Sequence, residues 1–382
     1  MKIVAAVYSH PEYYPPTLNA MEQLSQHTER IVLLHRNVKP KEWHYPENVF
    51  LKSSGSFKGI TATQNESVLW KLISFIRFSI DFFKVLRKEK PNWVIAYDPI
   101  PLLSYRIISF FVLKKPKIWY HNHDILELKN TRSFSVSRCA VKSEKSFFNK
   151  IDLFSLPAQE RKSSFLMNNF KGKYIYLPNY PSISHSNKNH TINFKKKNID
   201  FIFQGSISYN HGLEEILCAI PNLNREFNKN FRLVIKGFID KDYSEHLQNI
   251  ARKNQVSESL IVIGVGPYQE VFEISANCDI GLAIHTADNL MNKTLATSSN
   301  KIYEYIAVGL PVLLYDNEHF KSHLKKRTWA FFTNITQKSI IENVGIILES
   351  YPHISQSALS DFRSELNFEH NFSSVISFLL TK

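Results

Sequence analysis

One segment, from Ser298 to Tyr315, constrains the fold more than any other because it reads as a complete helix, turn and strand. Its first part, Asn300 to Val308, suits a short helix. Gly309 fits the left-handed position just past the helix end, and Pro311 prevents the helix from continuing. Val312 to Tyr315 is an apolar run, typical of a strand that is buried on both faces. The segment therefore predicts an α/β fold in which this helix leads into a buried strand.

Two charged residues of this helix, Lys301 and Glu304, are three positions apart and so share one face near its N-terminal end. The free N–H groups and partial positive charge of that end favour anions such as phosphate, and a carboxylate there can accept hydrogen bonds from a sugar diol. The alternative is an exposed ion pair, worth only about 0.2–0.5 kcal/mol. The segment alone supports both interpretations equally. The residues that can cap the helix are Ser298, Ser299 and Asn300.

The order Ser-Asn-Lys-x-x-Glu-Tyr-x-Ala-x-Gly-x-Pro-Val, which starts at Ser299, resembles the nucleotide-binding motif of family-4-type (group 1) bacterial glycosyltransferases. The resemblance implies the GT-B architecture, in which two Rossmann-like domains face each other across a cleft. It also implies a nucleotide-sugar donor held by Ser299, Asn300 and Lys301, with Glu304 on the donor ribose. One position departs from the pattern: Ala296 stands eight residues before Glu304, where related enzymes often carry a second Glu near the donor sugar.

The chain length supports two domains, since 382 residues exceed the usual limit for one hydrophobic core. A hydrophobic content of 43% is that of a globular chain. We expect an N-terminal acceptor-binding domain over residues 1–181 and a C-terminal nucleotide-sugar-binding domain over residues 199–360. The polar residues 182–198 between them form the expected linker. Residues 361–382 form the expected C-terminal helix, which is apolar enough to cross back to the first domain, as in GT-B enzymes.

The cysteines indicate a reducing compartment. Cys139, Cys218 and Cys278 are widely spaced and odd in number, so they form neither a disulfide framework nor a zinc pattern. The apolar run after Lys2 is too short for the core of a signal peptide. We therefore expect a cytoplasmic protein.

The net charge of +13 calls for an anionic partner, which can be nucleic acid, an anionic membrane or an anionic small molecule. Nucleic acid is the least favoured of the three, because the basic runs are scattered and no nucleic-acid-binding motif frames them. The segment Val68 to Lys90 alternates large apolar residues with basic ones. It suits a peripheral contact with an anionic membrane or, slightly better, a core-facing helix with a solvated basic face.

The first predicted strand, Lys2 to Val7, leads into a loop of proline and aromatic residues that extends to Pro16. No glycine-rich phosphate fingerprint follows this strand, which argues against a dinucleotide site in this domain. In the GT-B resemblance this loop lies where an acceptor sits, and it supplies the acceptor-binding candidates His10, Tyr13 and Tyr14. We expect irregular structure over residues 36–66 and a helix over residues 158–168.

A cluster of polar residues follows the predicted strand Lys117 to Tyr120, namely His121-Asn122-His123-Asp124. Open α/β sheets place ligands at the carboxyl ends of their strands, and a His there can orient a hydroxyl or move a proton near neutral pH. The resemblance makes His123 and Asp124 the catalytic pair, with His121 as a nearby alternative. A metal site is less well supported, because no third ligand stands at a recognisable spacing. A structural alternative is a His whose ring is satisfied by backbone groups.

The C-terminal half begins with a predicted strand, Asp200 to Phe203, that ends in Gln204-Gly205-Ser206. Gly205 lets the donor phosphates approach the backbone closely. Related enzymes usually place an Arg and a Lys in this loop, whereas this chain has Ser206 and His211 near those positions. The positive charge must then come from elsewhere or from protonated His211. The helix that begins near His211 is expected to end at Pro221.

Two further segments of this half supply candidates for the donor site. The next predicted strand, Phe231 to Lys236, is followed by Gly237, and Lys236 is either a phosphate ligand or a solvated strand-end charge. The resemblance places Pro267 and Tyr268 at the nucleotide base, where Tyr268 either stacks on the base or anchors the helix that follows. The sequence Asp240-Lys241-Asp242 spells a metal motif of another glycosyltransferase architecture, but capping of the helix after it explains it better.

The resemblance implies hexosyl transfer from a nucleotide sugar, carried on UDP or GDP, to a hydroxyl of a glycan or lipid-linked glycan. The reaction retains anomeric configuration, needs neither metal nor cofactor, and belongs to cell-surface polysaccharide synthesis. A non-catalytic GT-B-fold binding or scaffold protein is one alternative, which the departures at Ser206, His211 and Ala296 favour modestly. A sugar-nucleotide 2-epimerase is another, although we find no ordered set of acid and base residues for it.

Overall fold

The computed structural model describes residues 1–185, 196–286, 292 and 294–381, and the chain separates into two compact units. The first unit comprises Met1–Pro178 with Asn371–Lys382, and the second comprises Asn179–His370. Residues 186–195 of the expected linker lie outside the described residues, as do residues 287–291 and 293 of the loop before Ser298.

The first unit is built on a seven-stranded parallel sheet with the strand order β3-β2-β1-β4-β5-β6-β7. Its central strands are apolar and buried along their length, as a parallel sheet with both faces covered requires. The strands are β1 (Lys2–Val7), β2 (Arg30–Arg36), β3 (Val49–Ser54), β4 (Trp93–Tyr97), β5 (Lys117–His121), β6 (Leu153–Leu156) and β7 (Lys173–Tyr176).

The helices of the first unit are α1 (Pro15–Ser25), α2 (Ile60–Gln64), α3 (Val68–Glu89), α4 (Pro99–Ile108) and α5 (Val136–Phe147). The long helix α3 begins where the Ser67 side chain accepts a hydrogen bond from the Trp70 N–H, and ends at Lys90, which has a φ of +46°. One face of α3, including Phe78 and Phe82, is fully buried, so this face packs in the core as the core-facing interpretation predicts.

Two predictions for the first unit are wrong. Residues 36–66 are not irregular throughout, because they contain β3 and α2. The predicted helix over residues 158–168 is instead two short 3-10 turns, Gln159–Ser164 and Met167–Asn169. In the first turn Ser163 Oγ donates a hydrogen bond to the Glu160 carbonyl, and such local bonds compete with an α-helix.

The second unit is built on a six-stranded parallel sheet with the order β10-β9-β8-β11-β12-β13. Strands β8 and β9 are longer than predicted, and they pair along their whole length so that Gly205 lies opposite Gly237. The strands are β8 (Asn198–Ile207), β9 (Asn230–Ile239), β10 (Leu260–Ile263), β11 (Ile280–Ala283), β12 (Val312–Tyr315) and β13 (Ala330–Thr333).

The helices of the second unit include one from the segment Ser298 to Tyr315. The helix before β12 and the strand itself are where they were predicted, and Gly309 between them has a φ of +80°. Asp240 caps the helix Lys241–Lys253, because its Oδ1 accepts a hydrogen bond from the Asp242 N–H at 2.9 Å. The helices are α6 (Leu213–Phe227), α7 (Lys241–Lys253), α8 (Tyr268–Ala276), α9 (Leu295–Ser298), α10 (Asn300–Ala307), α11 (Glu318–Leu324), α12 (Gln337–Ser364) and α13 (Phe368–Leu380).

The last helix, α13, belongs to the first unit from Asn371 onward. Phe372 packs on Trp119 of β5 with ring centroids 5.9 Å apart, and Phe378 packs on Trp93 of β4 at 6.0 Å. No helix within the described part of the chain is both long and apolar enough to cross a membrane.

Both sheets reverse their strand order once, between β1 and β4 in the first unit and between β8 and β11 in the second. In open α/β sheets, the carboxyl ends of the strands at such a reversal form a crevice where ligands bind. These strand ends therefore direct attention to Tyr8, Asp98 and His285, which come after β1, β4 and β11, and to Gln204, which lies in the last part of β8.

The prediction that Pro221 ends α6 is wrong, because the helix continues through Pro221 to Phe227. A proline inside a helix lacks the N–H that would bond to the carbonyl of the residue four positions earlier, here Leu217. The helix persists because Leu217, Ile220 and Leu223 are fully buried in the core of the second unit. Packing of this apolar face outweighs the missing backbone bond.

We expect Pro221→Ala to raise the free energy of unfolding of the second unit by about 1–3 kcal/mol, because alanine restores the backbone hydrogen bond. Urea unfolding followed by circular dichroism measures this change. Glu226→Ala, at an exposed position of the same helix, is the control and should leave the midpoint within error. A midpoint for Pro221→Ala at or below that of the wild type would contradict the prediction.

Candidate functional site

The carboxylate of Glu304 lies in a buried hydrogen-bonded network in the second unit. Its Oε2 accepts a hydrogen bond from Gln204 Nε2 at 2.6 Å, and Ser275 Oγ donates to Gln204 Oε1 at 2.8 Å. Burial raises the pKa of Glu304 to about 7, while hydrogen bonds from Tyr268 and Gln204 act in the opposite direction. This arrangement holds a carboxylate at the carboxyl end of β8, with its conformation set by neutral donors.

Lys301 lies one turn before Glu304 in α10. Its ammonium sits 3.9 Å from the centroid of the Phe203 ring and 3.5 Å from His285 Nε2. Burial lowers the pKa of Lys301 to about 7, and the charge of Glu304 offsets this only in part. Among the described residues, no carboxylate lies within ion-pair distance of this ammonium, so the exposed Lys301–Glu304 ion pair considered above does not form.

Gly205 of β8 and Gly237 of β9 lie opposite each other at the edge of this network, where the two strands approach closely. Gly237 has a φ of +135°, and a Cβ at this position would stand 2.0 Å from the Gly205 carbonyl oxygen. Only glycine therefore fits at position 237. A Cβ at Gly205 would instead meet nothing closer than the end of the Lys301 side chain, at 3.9 Å. The Gly205 backbone and the Lys301 ammonium thus border the same space, with Ser206 exposed beside them.

His211 does not supply positive charge at neutral pH. Burial, together with the charge of Lys301, lowers its pKa to about 3. Its ring stacks on Phe203 with centroids 4.9 Å apart, and its Nδ1 accepts a hydrogen bond from the Ser208 N–H at 3.2 Å. Burial therefore disfavours a protonated His211, whereas the Lys301 ammonium lies 3.9 Å from the point where a Cβ at Gly205 would stand.

Lys236, the other candidate phosphate ligand, is buried at the end of its strand and forms a 2.7 Å ion pair with Glu270 Oε2. The alternative of a solvated strand-end charge is therefore wrong. Glu270 is about half exposed, so an anion that enters here can compete with it for the lysine.

Tyr268, the first residue of α8, lies in an aromatic cluster with Phe272 at 5.4 Å and His185 at 5.6 Å between ring centroids. Its hydroxyl acts on Glu304 by lowering the pKa of that carboxyl group, so Tyr268 belongs to the surroundings of the carboxylate. Pro267, the residue before it, is exposed.

The start of α10 contains buried polar groups. Ser299 is the N-cap residue, but its side chain makes no capping hydrogen bond. Within the described part of the chain, Asn300 Oδ1 and Thr297 Oγ1 are buried and have no hydrogen-bond partner. Burying a polar atom without a hydrogen-bond partner costs free energy. In ligand sites, a bound ligand commonly supplies that partner. Ala296, in α9, is buried with its methyl group in the core.

The second set of candidates lies in the first unit, around His123. Its imidazole is sandwiched between two parallel rings, Tyr14 at 4.9 Å and Tyr97 at 5.1 Å, and its Nε2 hydrogen-bonds Thr17 Oγ1 at 3.0 Å. Burial, helped by His121 and Arg161, holds the pKa of His123 well below its usual range. The ring is therefore neutral near pH 7 and suits hydrogen bonding and orientation better than proton donation.

A partly buried aspartate, Asp98, shapes the loop that carries His123 and Asp124. Its Oδ1 accepts hydrogen bonds from the His123 N–H at 2.8 Å and the Asp124 N–H at 3.4 Å. Asp98 has a φ of +70° and a ψ of 170°, a strained combination for any residue but glycine. Burial and the nearby Asp124 raise the pKa of Asp98 to about 8. From the other side, Arg161 Nη1 donates to the His123 carbonyl at 2.6 Å.

The acceptor-binding candidates have different environments. His10 is buried, and burial together with His35 lowers its pKa to about 4. Tyr13 is exposed, whereas Tyr14 stacks on His123 and also lines a large cavity. His121 hydrogen-bonds Ser155 Oγ at 2.7 Å through Nδ1, so a side-chain hydroxyl rather than a backbone group occupies this nitrogen.

Sequence reasoning missed the residues that orient these groups, namely Gln204, Ser275, Asp98 and Arg161. Gln204 and Asp98 share a signal that could have found them, since each is a polar residue directly after a buried apolar run. Ser275 and Arg161 offer no such signal, because each reaches its partner from a segment far away in the sequence. Within the described residues, no group of three or more His, Cys, Asp or Glu side chains is placed to hold a metal ion.

Residues 186–359 match the family model described as glycosyl transferases group 1. A curated relative, the capsular polysaccharide biosynthesis glycosyltransferase CapH of Staphylococcus aureus, is 26% identical over 207 residues. That alignment covers 49% of this chain and 52% of CapH, so the chain matches about half the length of this relative.

Solved structures resemble the whole chain. Sucrose-phosphate synthase of Thermosynechococcus elongatus is 8% identical with a TM-score of 0.70, covering 99% of this chain and 98% of that protein. HepE of Anabaena, solved with UDP and glucose, is 13% identical with a TM-score of 0.69 over 100% of both chains. A trehalose-6-phosphate synthase studied for glycosyl transfer with retention is 11% identical with a TM-score of 0.64, over 99% of this chain and 98% of that one.

At these identities the structural likeness bears on the fold alone, and it agrees with the two parallel sheets described above. The family model bears on the second unit, where the motif from Ser299 onward lies. Residues 186–359 of this chain are therefore similar to the group 1 glycosyltransferases, and the chain as a whole has the GT-B fold built from two Rossmann-like domains.

Proposed function

We propose that this protein transfers a hexosyl group from a nucleotide sugar to a hydroxyl of a glycan or lipid-linked glycan during synthesis of a cell-surface polysaccharide. One observation carries the proposal. A lysine ammonium without a carboxylate partner among the described residues and a buried, oriented carboxylate stand one turn apart beside Gly205. This pair matches the two ends of a nucleoside diphosphate, which are an anionic diphosphate and a ribose diol. The role of CapH in capsular polysaccharide biosynthesis supports the wider assignment.

In this proposal the donor binds at the carboxyl ends of β8 and β11. Glu304 accepts hydrogen bonds from the ribose hydroxyls, and Lys301 with the Gly205 backbone binds the diphosphate. Lys236 exchanges Glu270 for a phosphate oxygen. Ser206, Gly237, Pro267, Tyr268, Ser299 and Asn300 complete the donor site, with His211 as a neutral hydrogen-bonding group. UDP is the preferred carrier, because HepE was solved with UDP and glucose, and GDP is the second choice.

The chemistry follows from the charge that develops on the leaving group. The bond between the anomeric carbon and the diphosphate oxygen breaks as the acceptor oxygen bonds to that carbon. The proton of the acceptor hydroxyl passes to the departing diphosphate oxygen, which takes the electron pair of the broken bond. Positioned donors stabilise the departing diphosphate, and stabilisation of this kind usually lowers the barrier more than any other single effect. Lys301 supplies this charge, so the proposal needs no metal ion. We propose retention of configuration, as studied for the related trehalose-6-phosphate synthase.

The acceptor side of the proposal rests on the loop of His123 and Asp124. Neutral His123 and the exposed Asp124 orient the reacting hydroxyl, while Asp98 and Arg161 act as positioning residues that hold the loop. Tyr13 and Tyr14 contact the acceptor, and buried His10 supports them from behind.

We also propose that the protein works in the cytoplasm, in peripheral contact with an anionic membrane. The N-terminal part of α3 exposes Leu69, Trp70 and Ile73. Basic residues Lys71 and Arg77 lie on the same stretch of the helix, a combination typical of helices that rest in a membrane interface.

A binding or scaffold role is a second candidate, favoured by one specific observation. Ala296 is buried, so no acidic side chain reaches the donor sugar from the position where related enzymes often carry Glu. The nucleotide titration described next separates the two, since a degenerate site would bind no nucleotide.

We expect Glu304→Ala to weaken nucleotide binding at least roughly tenfold, because hydrogen bonds to a charged group contribute about 1.5–3 kcal/mol. Titration calorimetry with UDP, GDP, ADP and CMP measures this and identifies the base. Glu273→Ala, on the exposed side of α8, is the control and should bind as the wild type does. Equal affinity of Glu304→Ala and the wild type would remove the ribose assignment.

We expect UDP affinity to fall as the pH rises from 7 to 9. Lys301 has a pKa of about 7 without ligand, so its charged fraction falls across this range, and the diphosphate binds the charged form. The loss approaches about tenfold per pH unit if one proton is taken up on binding. Lys301→Arg stays charged and should show a flatter profile.

Glu304, whose pKa is also about 7, is common to both proteins, so the difference between their profiles isolates Lys301. Starting at pH 7 also keeps the terminal phosphate of UDP mostly ionised, since its pKa is near ~6. Parallel profiles for the wild type and Lys301→Arg would place the titrating group elsewhere.

We expect Asp98→Ala to lower kcat roughly tenfold or more while UDP affinity stays unchanged. Without the Asp98 oxygen the His123 and Asp124 N–H groups lose their acceptor, and small misplacements of catalytic groups are costly. Asp98→Asn keeps an oxygen acceptor and should recover most of kcat. Equal activity of Asp98→Ala and the wild type would show that the loop does not depend on Asp98.

A further inference from the structure

The first unit contains a cavity of about 1150 Å³ that the donor site does not use. It begins at the carboxyl ends of β1 and β2 and extends along α3 and α4 to the start of α5. Ligand pockets commonly measure about 300–1,000 Å³, so this cavity has room for considerably more than one sugar ring.

One side of the cavity is apolar. It is formed by Val68, Leu72 and Phe75 of α3, Leu103 and Ile107 of α4, and Phe134. Phe75 is buried, whereas Leu72 is 44% exposed and Phe134 is 95% exposed. The apolar wall therefore continues from the interior onto the surface of the unit. There it joins the exposed apolar side chains of α3.

The remainder of the lining is cationic. Arg36, Lys71 and Arg132 contribute three positive charges, against the single carboxylate of Glu66. Arg36 pairs with Glu66 at 3.3 Å, and Lys58 also pairs with Glu66 at 3.1 Å, so this carboxylate is fully compensated. An anionic group that enters the cavity meets a net positive field in a partly buried setting.

The cavity also reaches the candidate acceptor loop. Tyr14 lines it and stacks on His123 at 4.9 Å between ring centroids. A molecule whose charged part lies near Arg36 and Lys71 can therefore extend a polar group toward Tyr14 and an apolar group along Leu72. Neither a free glycan nor a free nucleotide would use the apolar wall.

We propose that this cavity binds an amphiphile in which a phosphate or diphosphate head is joined to a long apolar chain. The head binds at Arg36, Lys71 and Arg132, and the chain lies on Leu72, Phe75 and Ile107. This inference rests on the proposed function for its consequence, which is that the amphiphile is the lipid part of the acceptor and carries the glycan hydroxyl toward His123.

The test is calorimetric titration of the full chain with farnesyl diphosphate, kept below its micelle concentration. Farnesol and inorganic diphosphate are titrated in parallel. We expect farnesyl diphosphate to bind at least roughly tenfold more tightly than either, because only it satisfies both the cationic and the apolar parts of the lining. Equal binding of inorganic diphosphate, or no binding of farnesyl diphosphate, would overturn the proposal.

Matched variants of α3 locate the binding. Lys71→Gln and Leu72→Gln change residues of the lining, and we expect each to weaken farnesyl diphosphate binding roughly tenfold. Lys84→Gln and Leu69→Gln make the same changes at exposed positions of the helix outside the lining, and should leave binding unchanged. Equal losses in both sets would place the ligand on the helix surface and overturn the cavity assignment.

Vesicles of phosphatidylglycerol distinguish a bilayer from a single amphiphile. Binding to vesicles without any binding of farnesyl diphosphate would overturn the proposal in favour of a surface contact. A UDP titration of the same sample separates this inference from the proposed function. Loss of UDP binding alone counts against the donor site, and loss of farnesyl diphosphate binding alone counts against the cavity.

Discussion

A parallel sheet must be covered on both faces, and the rest of this structure depends on that constraint. The central strands of both units are apolar runs that are buried along most of their length, so helices have to pack on each side. The strand order then reverses once in each sheet, and the loops at the reversal leave the core together. Asp98 stands directly after β4 at one of these points, whereas Gln204 lies in the last part of β8, buried beside Glu304.

Burial at these strand ends also decides which groups carry charge. His211 and His123 lose their charge because a buried imidazolium is poorly solvated, and Lys301 adds to the effect at His211. The pKa values of Lys301 and Glu304 move toward each other for the same reason, to about 7 in each case. Among the described residues of the second unit, Lys301 has no carboxylate within ion-pair distance, whereas Lys236 pairs with Glu270 at 2.7 Å.

The first unit joins its two candidate features through one ring. Tyr14 is packed against His123 on one side and borders the large cavity on the other. Helix α3 contributes similarly to two environments, with Phe78 and Phe82 in the core and Leu72 in the cavity wall. Its basic residues then face either the cavity or solvent. Because α3 has one face in the core and another toward the cavity and solvent, its sequence suits both a core helix and a membrane contact.

The sequence by itself determined the α/β class, the helix and strand from Asn300 to Tyr315, and the group 1 resemblance, because these depend on local periodicity and on residues close together in the chain. Local patterns failed at Pro221, where buried leucines elsewhere on the helix outweigh a missing backbone bond. Only the tertiary structure decided that Glu304 bonds Gln204, that Tyr14 and Tyr97 enclose His123, and that His211 is neutral. These properties come from contacts between residues far apart in the sequence and from burial, neither of which a local pattern contains.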